Sequence, residues 1–142
     1  MRSPKKDEIS GICREFSISI LYAFGSRAHE AVSLMTCRIQ KLDASKSDLD
    51  IGVLPERGKK LSAREKVELG LRLEDFFEVG RVDLVVLPEA PPLLVSKIIQ
   101  GERLYSLDED DADEYDLYVL RRAGDLMPFH RERIRLILGD AK

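Results

Sequence analysis

An excess of positive charge is missing from this sequence: 23 Lys and Arg against 26 Asp and Glu leave a formal charge of −3. Without a dominant basic surface the chain has no general attraction for nucleic acid, so strong direct binding to DNA or RNA is not expected. Long apolar runs are missing too. None approaches the ~20 residues a membrane-spanning helix needs, and Met1-Arg2-Ser3-Pro4-Lys5-Lys6-Asp7-Glu8 has no apolar core of the kind a signal peptide carries. The expected location is the cytoplasm. Cysteine and histidine are scarce, two of each. Cys13 and Cys37 are not spaced as C-x-x-C, and His29 and His130 make no metal-ligand pattern with them. A disulfide is not expected in a reducing compartment. Neither repeat nor linker divides the 142 residues, which suits one domain with a single core.

What is present is a series of short periodic segments. Lys5 to Phe16 reads as a helix, with Ile9, Ile12, Cys13 and Phe16 at helical spacing. Ser17 to Phe24 reads as a strand rich in β-branched and aromatic residues. Ser26 is a candidate N-cap for a helix running to about Ser33. Leu34 to Lys46 reads as an extended helix end followed by a mobile polar loop. Asp48 to Leu54 is a second strand, ended by Pro55 and Gly58. Ser62-Ala63-Arg64-Glu65 has capping-box spacing, and the helix after it carries Leu69, Leu73, Phe76 and Phe77 on one face up to a stop at Gly80. Arg81 to Leu87 is a third strand. A short helix from Pro91 to about Gln100 and an edge strand from Arg103 to Ser106 follow. The acids from Asp108 to Asp116 read as a solvated loop leading into a helix, rather than as a second metal site. That helix, about Asp113 to Leu138, should break or kink near Met127 at Pro128. Its second part carries Arg131, Arg133 and Arg135.

Three pieces carry chemistry. Alternation along a strand puts Asp48 and Asp50 on one face, and two such carboxylates repel unless a cation lies between them. Hard oxygen donors suit Mg²⁺ or Mn²⁺. Asp83 sits near the start of an otherwise apolar strand, where an unpaired carboxylate is costly. Gly25-Ser26 ends the first strand with a residue that lets backbone approach a phosphate and a hydroxyl that can donate to it. Each piece alone has an ordinary explanation: a polar strand face, an exposed strand start, a turn glycine before a capping serine. For all of them to meet at one edge, the second and third strands must run together with the first antiparallel to both, in a mixed sheet.

Phe24-Gly25-Ser26-Arg27-Ala28, Ser47-Asp48-Leu49-Asp50 and Val82-Asp83-Leu84 together resemble the signatures of the DNA polymerase β-like nucleotidyltransferase superfamily, and the length resembles its minimal nucleotidyltransferases (MNT). The resemblance runs from about Ile18 to Ser106, with a similar helical part after it. It implies an α+β fold, with a mixed β-sheet flanked by helices: a core over about 5–106 and a helical C-terminal extension over about 107–142. It also implies transfer of AMP from ATP to a hydroxyl. Gly25 and Ser26 would bind the nucleotide, with Arg27 either joining them on phosphate or standing as a solvated first-turn residue, and Asp48, Asp50 and Asp83 would be the catalytic acids holding two Mg²⁺ ions (Mn²⁺ as an alternative). The implied partner is a HEPN-domain toxin encoded nearby, silenced by adenylylation of a tyrosine. Two other readings remain open: an antitoxin that neutralises by contact alone, and a transferase acting on a small molecule. One departure stands out. The 21 residues from Arg27 to Ser47 make the connection between serine and first acid longer than is usual in the family.

Overall fold

A computed structural model describes residues 4–43 and 48–138, with the backbone alone over 125–138. The order is α1 (Pro4–Glu15), β1 (Ile18–Phe24), a 3₁₀ turn (Gly25–Arg27), α2 (Ala28–Met35), β2 (Leu49–Pro55), α3 (Ala63–Phe77), β3 (Val82–Val86), α4 (Pro92–Ile99), β4 (Glu102–Ser106) and α5 (Glu109–Leu138). The strands form one sheet in the order β3-β2-β1-β4. β1 is antiparallel to both its neighbours, and β2 is parallel to β3. This is the mixed sheet that the placement of the acids demands.

Both faces of the sheet are covered, which is why β1 and β2 read as nearly continuous apolar runs. On one face Leu21, Ala23, Leu49, Ile51 and Val53 join residues of α1, α2 and α3 in a buried cluster. On the other, Ile20 and Tyr22 pack with Val95, Ile98 and Ile99 of α4 and with Ala112 and Val119 of α5. The antiparallel register pairs Tyr22 with Gly52 and Phe24 with Asp50, so the acid face of β2 is the face that α4 covers. Gly52 is what lets α4 close in: a Cβ there would stand 2.6 Å from Cγ2 of Ile98.

Several local expectations are met. Ser62 accepts from the Glu65 N–H at 3.1 Å while the Glu65 carboxylate accepts from the Ser62 N–H at 3.0 Å, a closed capping box. Leu69, Leu73, Phe76 and Phe77 are buried. Other expectations need correction. Ser26 caps no helix; it lies inside the 3₁₀ turn, and α2 begins after Arg27 without a side-chain cap. α3 stops at Phe77 because Glu78 takes a left-handed conformation (φ 55°), two residues before Gly80. β2 runs one residue further than expected, with Pro55 as its last residue, paired with Ile18. The polar stretch after α2 is anchored: Cys37 turns the chain at φ 61°, and Leu42 is buried in the core. Residues 44–47, the end of the expected loop, lie outside the described residues.

The acidic run is not a loop before a helix. It forms the first turns of α5, where Asp108 Oδ1 accepts from the Asp111 N–H at 3.0 Å. Acids at a helix start are favoured by the helix dipole, so a run of them marks a beginning. Three are further held by Arg103 of β4, which contacts Glu109 at 3.0 Å, Asp113 at 2.9 Å and Asp116 at 3.3 Å. The Tyr22 hydroxyl also donates to Asp116. α5 continues through Pro128 to Leu138, without the break expected at Met127. The side chains of Arg131, Arg133 and Arg135 lie outside the described residues. Among the described residues, no helix is long and apolar enough to cross a membrane.

Gly52→Ala should destabilise the fold by about 1–3 kcal/mol through overpacking against α4. Chemical denaturation would measure it. Most of that cost should vanish in an Ile98→Ala background, since the clash needs both side chains.

Candidate active site

The site gathers at one end of the sheet, where β1 ends and β2 and β3 begin. Parallel pairing puts Leu49 opposite Val82 and Asp50 opposite Asp83. The Leu49 N–H donates to the Arg81 carbonyl at 3.1 Å, so the two strands start level with each other. β1 arrives from the other direction and sets Phe24 opposite Asp50. Asp83, Asp50 and Phe24 therefore stand in a row across three adjacent strands. Asp48 precedes Asp50 by two residues, just ahead of β2.

Gly25 follows Phe24 with φ 75°, a left-handed conformation that glycine adopts at little cost. Its α-carbon lies against the Asp50 carboxylate: a Cβ at Gly25 would stand 2.5 Å from Oδ2 of Asp50. Gly25 and Ser26 are exposed at the turn, whereas Arg27 is buried. The structure thus brings Gly25, Asp50 and Asp83 together, with Ser26 and Asp48 at the same end. Arg27 stands apart. Its guanidinium is turned inward, 3.1 Å from Glu30 and 2.6 Å from the Asp43 carbonyl.

Burial holds the Asp50 carboxyl above its ordinary 3.8, and the neighbouring charges of Asp83 and Asp48 push it further the same way. Two carboxylates side by side on paired strands are a standing repulsion that a hard cation would relieve. As a donor set, three carboxylates fit such an ion. The cage is not closed, however: among the described residues no three acids, histidines or cysteines are gathered tightly enough to enclose a metal. Asp48 instead faces Arg81, with Nε 3.6 Å from Oδ2 in an exposed pair. Sequence reasoning passed over Arg81, although its place two residues before Asp83 was the available signal. It also passed over Glu30 and Asp43, for which no local pattern gives a signal.

A family model described as "Polymerase beta, Nucleotidyltransferase" matches residues 7–110. No curated protein matches the chain. Among solved structures, one described as a toxin–antitoxin with AMP-PNP is 20% identical with a TM-score of 0.68, covering 94% of this chain and 98% of that one. Another, described as the tri-AMPylated Shewanella oneidensis HEPN toxin in complex with MNT antitoxin, is 19% identical with a TM-score of 0.65 over 98% of this chain and 100% of that one. A third, the toxin–antitoxin MntA-HepT, is 19% identical with a TM-score of 0.64 over 95% and 97%. At these identities the likeness is one of fold.

The raised Asp50 carboxyl has a consequence for stability. An acid whose value rises on folding holds its proton more tightly in the folded chain. Stability is then lost as pH climbs from the ordinary 3.8 through the folded value, and the loss persists at neutral pH. Asp50→Asn should therefore raise Tm at pH 7, and the gain should shrink as pH falls toward 4. Thermal unfolding followed by circular dichroism across that range would check the sign.

Proposed function

The chain belongs to the polymerase β nucleotidyltransferase family, and from that premise we propose that it transfers AMP from ATP to a hydroxyl group, the acceptor being a tyrosine of a HEPN toxin. Asp48, Asp50 and Asp83 are the catalytic acids of this reading, and Gly25 and Ser26 bind the nucleotide. The observation that carries it is the meeting of Asp83 from β3, Asp50 from β2 and Gly25 from the turn that follows β1.

In this mechanism the positive φ of Gly25 lets the backbone of the turn approach the β- and γ-phosphates without a side chain in the way. The exposed Ser26 hydroxyl donates to the same oxygens. The acceptor oxygen attacks the α-phosphorus, and the bond to pyrophosphate breaks with its electron pair leaving on the pyrophosphate. Asp83 takes the proton of the attacking hydroxyl; it is the most open of the row, exposed at the edge strand. Mg²⁺ or Mn²⁺ ions held by the three acids would supply the positive charge that offsets charge on the attacking and leaving oxygens. α4, packed over Gly52 on the acid face, limits access from that side.

The acceptor is proposed from the neighbours. Fold relatives across nearly the whole chain are described as toxin–antitoxin complexes, one with AMP-PNP and one with a tri-AMPylated HEPN toxin. One observation favours a second reading, neutralisation by contact alone: Asp48 faces Arg81, and the acids do not enclose a metal site.

Incubating the chain with its HEPN-domain neighbour and α-labelled ATP separates the two. Transfer should put label on the toxin, stop on chelation, and fall about 100-fold or more in Asp50→Asn and Asp83→Asn. Neutralisation of the toxin by those variants, with no label moved, would sink the catalytic reading in favour of contact.

A further inference from the structure

Arg27 is only 3% exposed, although it directly follows the exposed Gly25-Ser26 turn. Its Nε donates to Glu30 Oε1 at 3.1 Å, and its Nη2 donates to the Asp43 carbonyl at 2.6 Å. The Asp43 N–H donates back to Glu30 Oε2 at 3.4 Å, so the three residues close a ring of contacts. A guanidinium is suited to such multi-point bonding because its donors lie in a rigid plane.

We propose that Arg27 is a positioning residue. Its buried guanidinium clamps the chain around Asp43 to the start of α2 and thereby fixes the Gly25–Ser26 turn against Asp50, without touching phosphate itself. The proposal rests on nucleotide binding at that turn, as in the reading above. Two further observations support it. Arg27 is the last residue of the 3₁₀ turn, so fixing its side chain fixes the backbone that follows Ser26. The contact also spans 16 residues of the long connection, beside Leu42, which is buried in the core. Turning the guanidinium outward to a phosphate would leave the Glu30 carboxylate beside the Asp43 carbonyl without this cation, a costly arrangement for partly buried groups.

The test compares Arg27→Lys and Glu30→Gln with the unchanged chain. Hydrogen exchange by mass spectrometry reads residues 36–43, and titration with fluorescent ATP and AMP in Mg²⁺ reads the turn. Both variants should speed exchange over 36–43 about tenfold or more while β1 and β2 stay protected. Both should weaken ATP binding about tenfold and leave AMP within about twofold, since a shifted turn loses the β- and γ-phosphates. A merely destabilising change would not separate ATP from AMP. Arg64→Ala, on the exposed face of α3, should change neither readout.

Glu30→Gln is decisive because it keeps the cation and carries the test if Arg27→Lys fails to fold. If Arg27 bound phosphate directly, Glu30→Gln would leave ATP binding unchanged or tighter, and that result overturns the proposal. Unchanged exchange over 36–43 overturns it as well. An unaltered chain that binds no ATP, with the exchange changes intact, would sink the nucleotide reading and the role of the turn in it, while upholding the clamp.

Discussion

Parallel pairing of β2 with β3 is the constraint on which the site depends. It sets Asp50 directly beside Asp83. Had β3 run the other way, its first residues would lie at the far end of the sheet, a strand length away. The crossover through α3 makes the parallel pairing possible, and the antiparallel return of β1 then delivers Gly25 to the same end. The cost appears in Asp50, whose carboxyl is pushed up by burial first and by Asp83 and Asp48 after that. Such a group, pushed up by burial and by two like charges at the end of the sheet, is what marks this place as the candidate site.

The contrast with the other acidic cluster sharpens this. Glu109, Asp113 and Asp116 also crowd together, but Arg103 lies among them within 3.3 Å of each, and the Tyr22 hydroxyl donates to Asp116. That cluster shares one cation from within the chain, which ties α5 to the sheet. Among the described residues, the acids at the β2–β3 edge have as a cation Arg81, 3.6 Å from Asp48, an exposed pair of the kind that contributes little. One group of carboxylates is satisfied by its own protein. The other, in the reading proposed above, is where the nucleotide and its metal ions bind.

Much of this was legible in the sequence, and the boundary of legibility is physical. The strands, the capping box at Ser62 and the face of α3 follow from local periodicity and chemistry, so they could be read residue by residue. The mixed topology followed from one added demand, that Asp48, Asp50, Asp83 and Gly25 share an edge. What failed was whatever tertiary contacts decide. Glu78, not Gly80, takes the left-handed turn after α3. Ser26 caps nothing. The burial of Leu42 and the inward turn of Arg27 depend on groups distant in sequence, for which a short window holds no signal.

The connection between Ser26 and Asp48 is 21 residues long, and its length bears less on the site than the motif spacing implies. Gly25 meets Asp50 because Phe24 pairs with Asp50 across β1 and β2, a register fixed by the ladder and by the buried sides of both strands. The connection has to leave the turn and return to β2, and the entropy of closing a loop grows only slowly with its length. Part of that length is moreover folded back on the domain, through Leu42 in the core and the contacts of Arg27 with Glu30 and Asp43. Extra residues inserted between two paired strands leave the pairing as it was, so the distance from glycine to acid is set by the sheet and not by the count of residues between them.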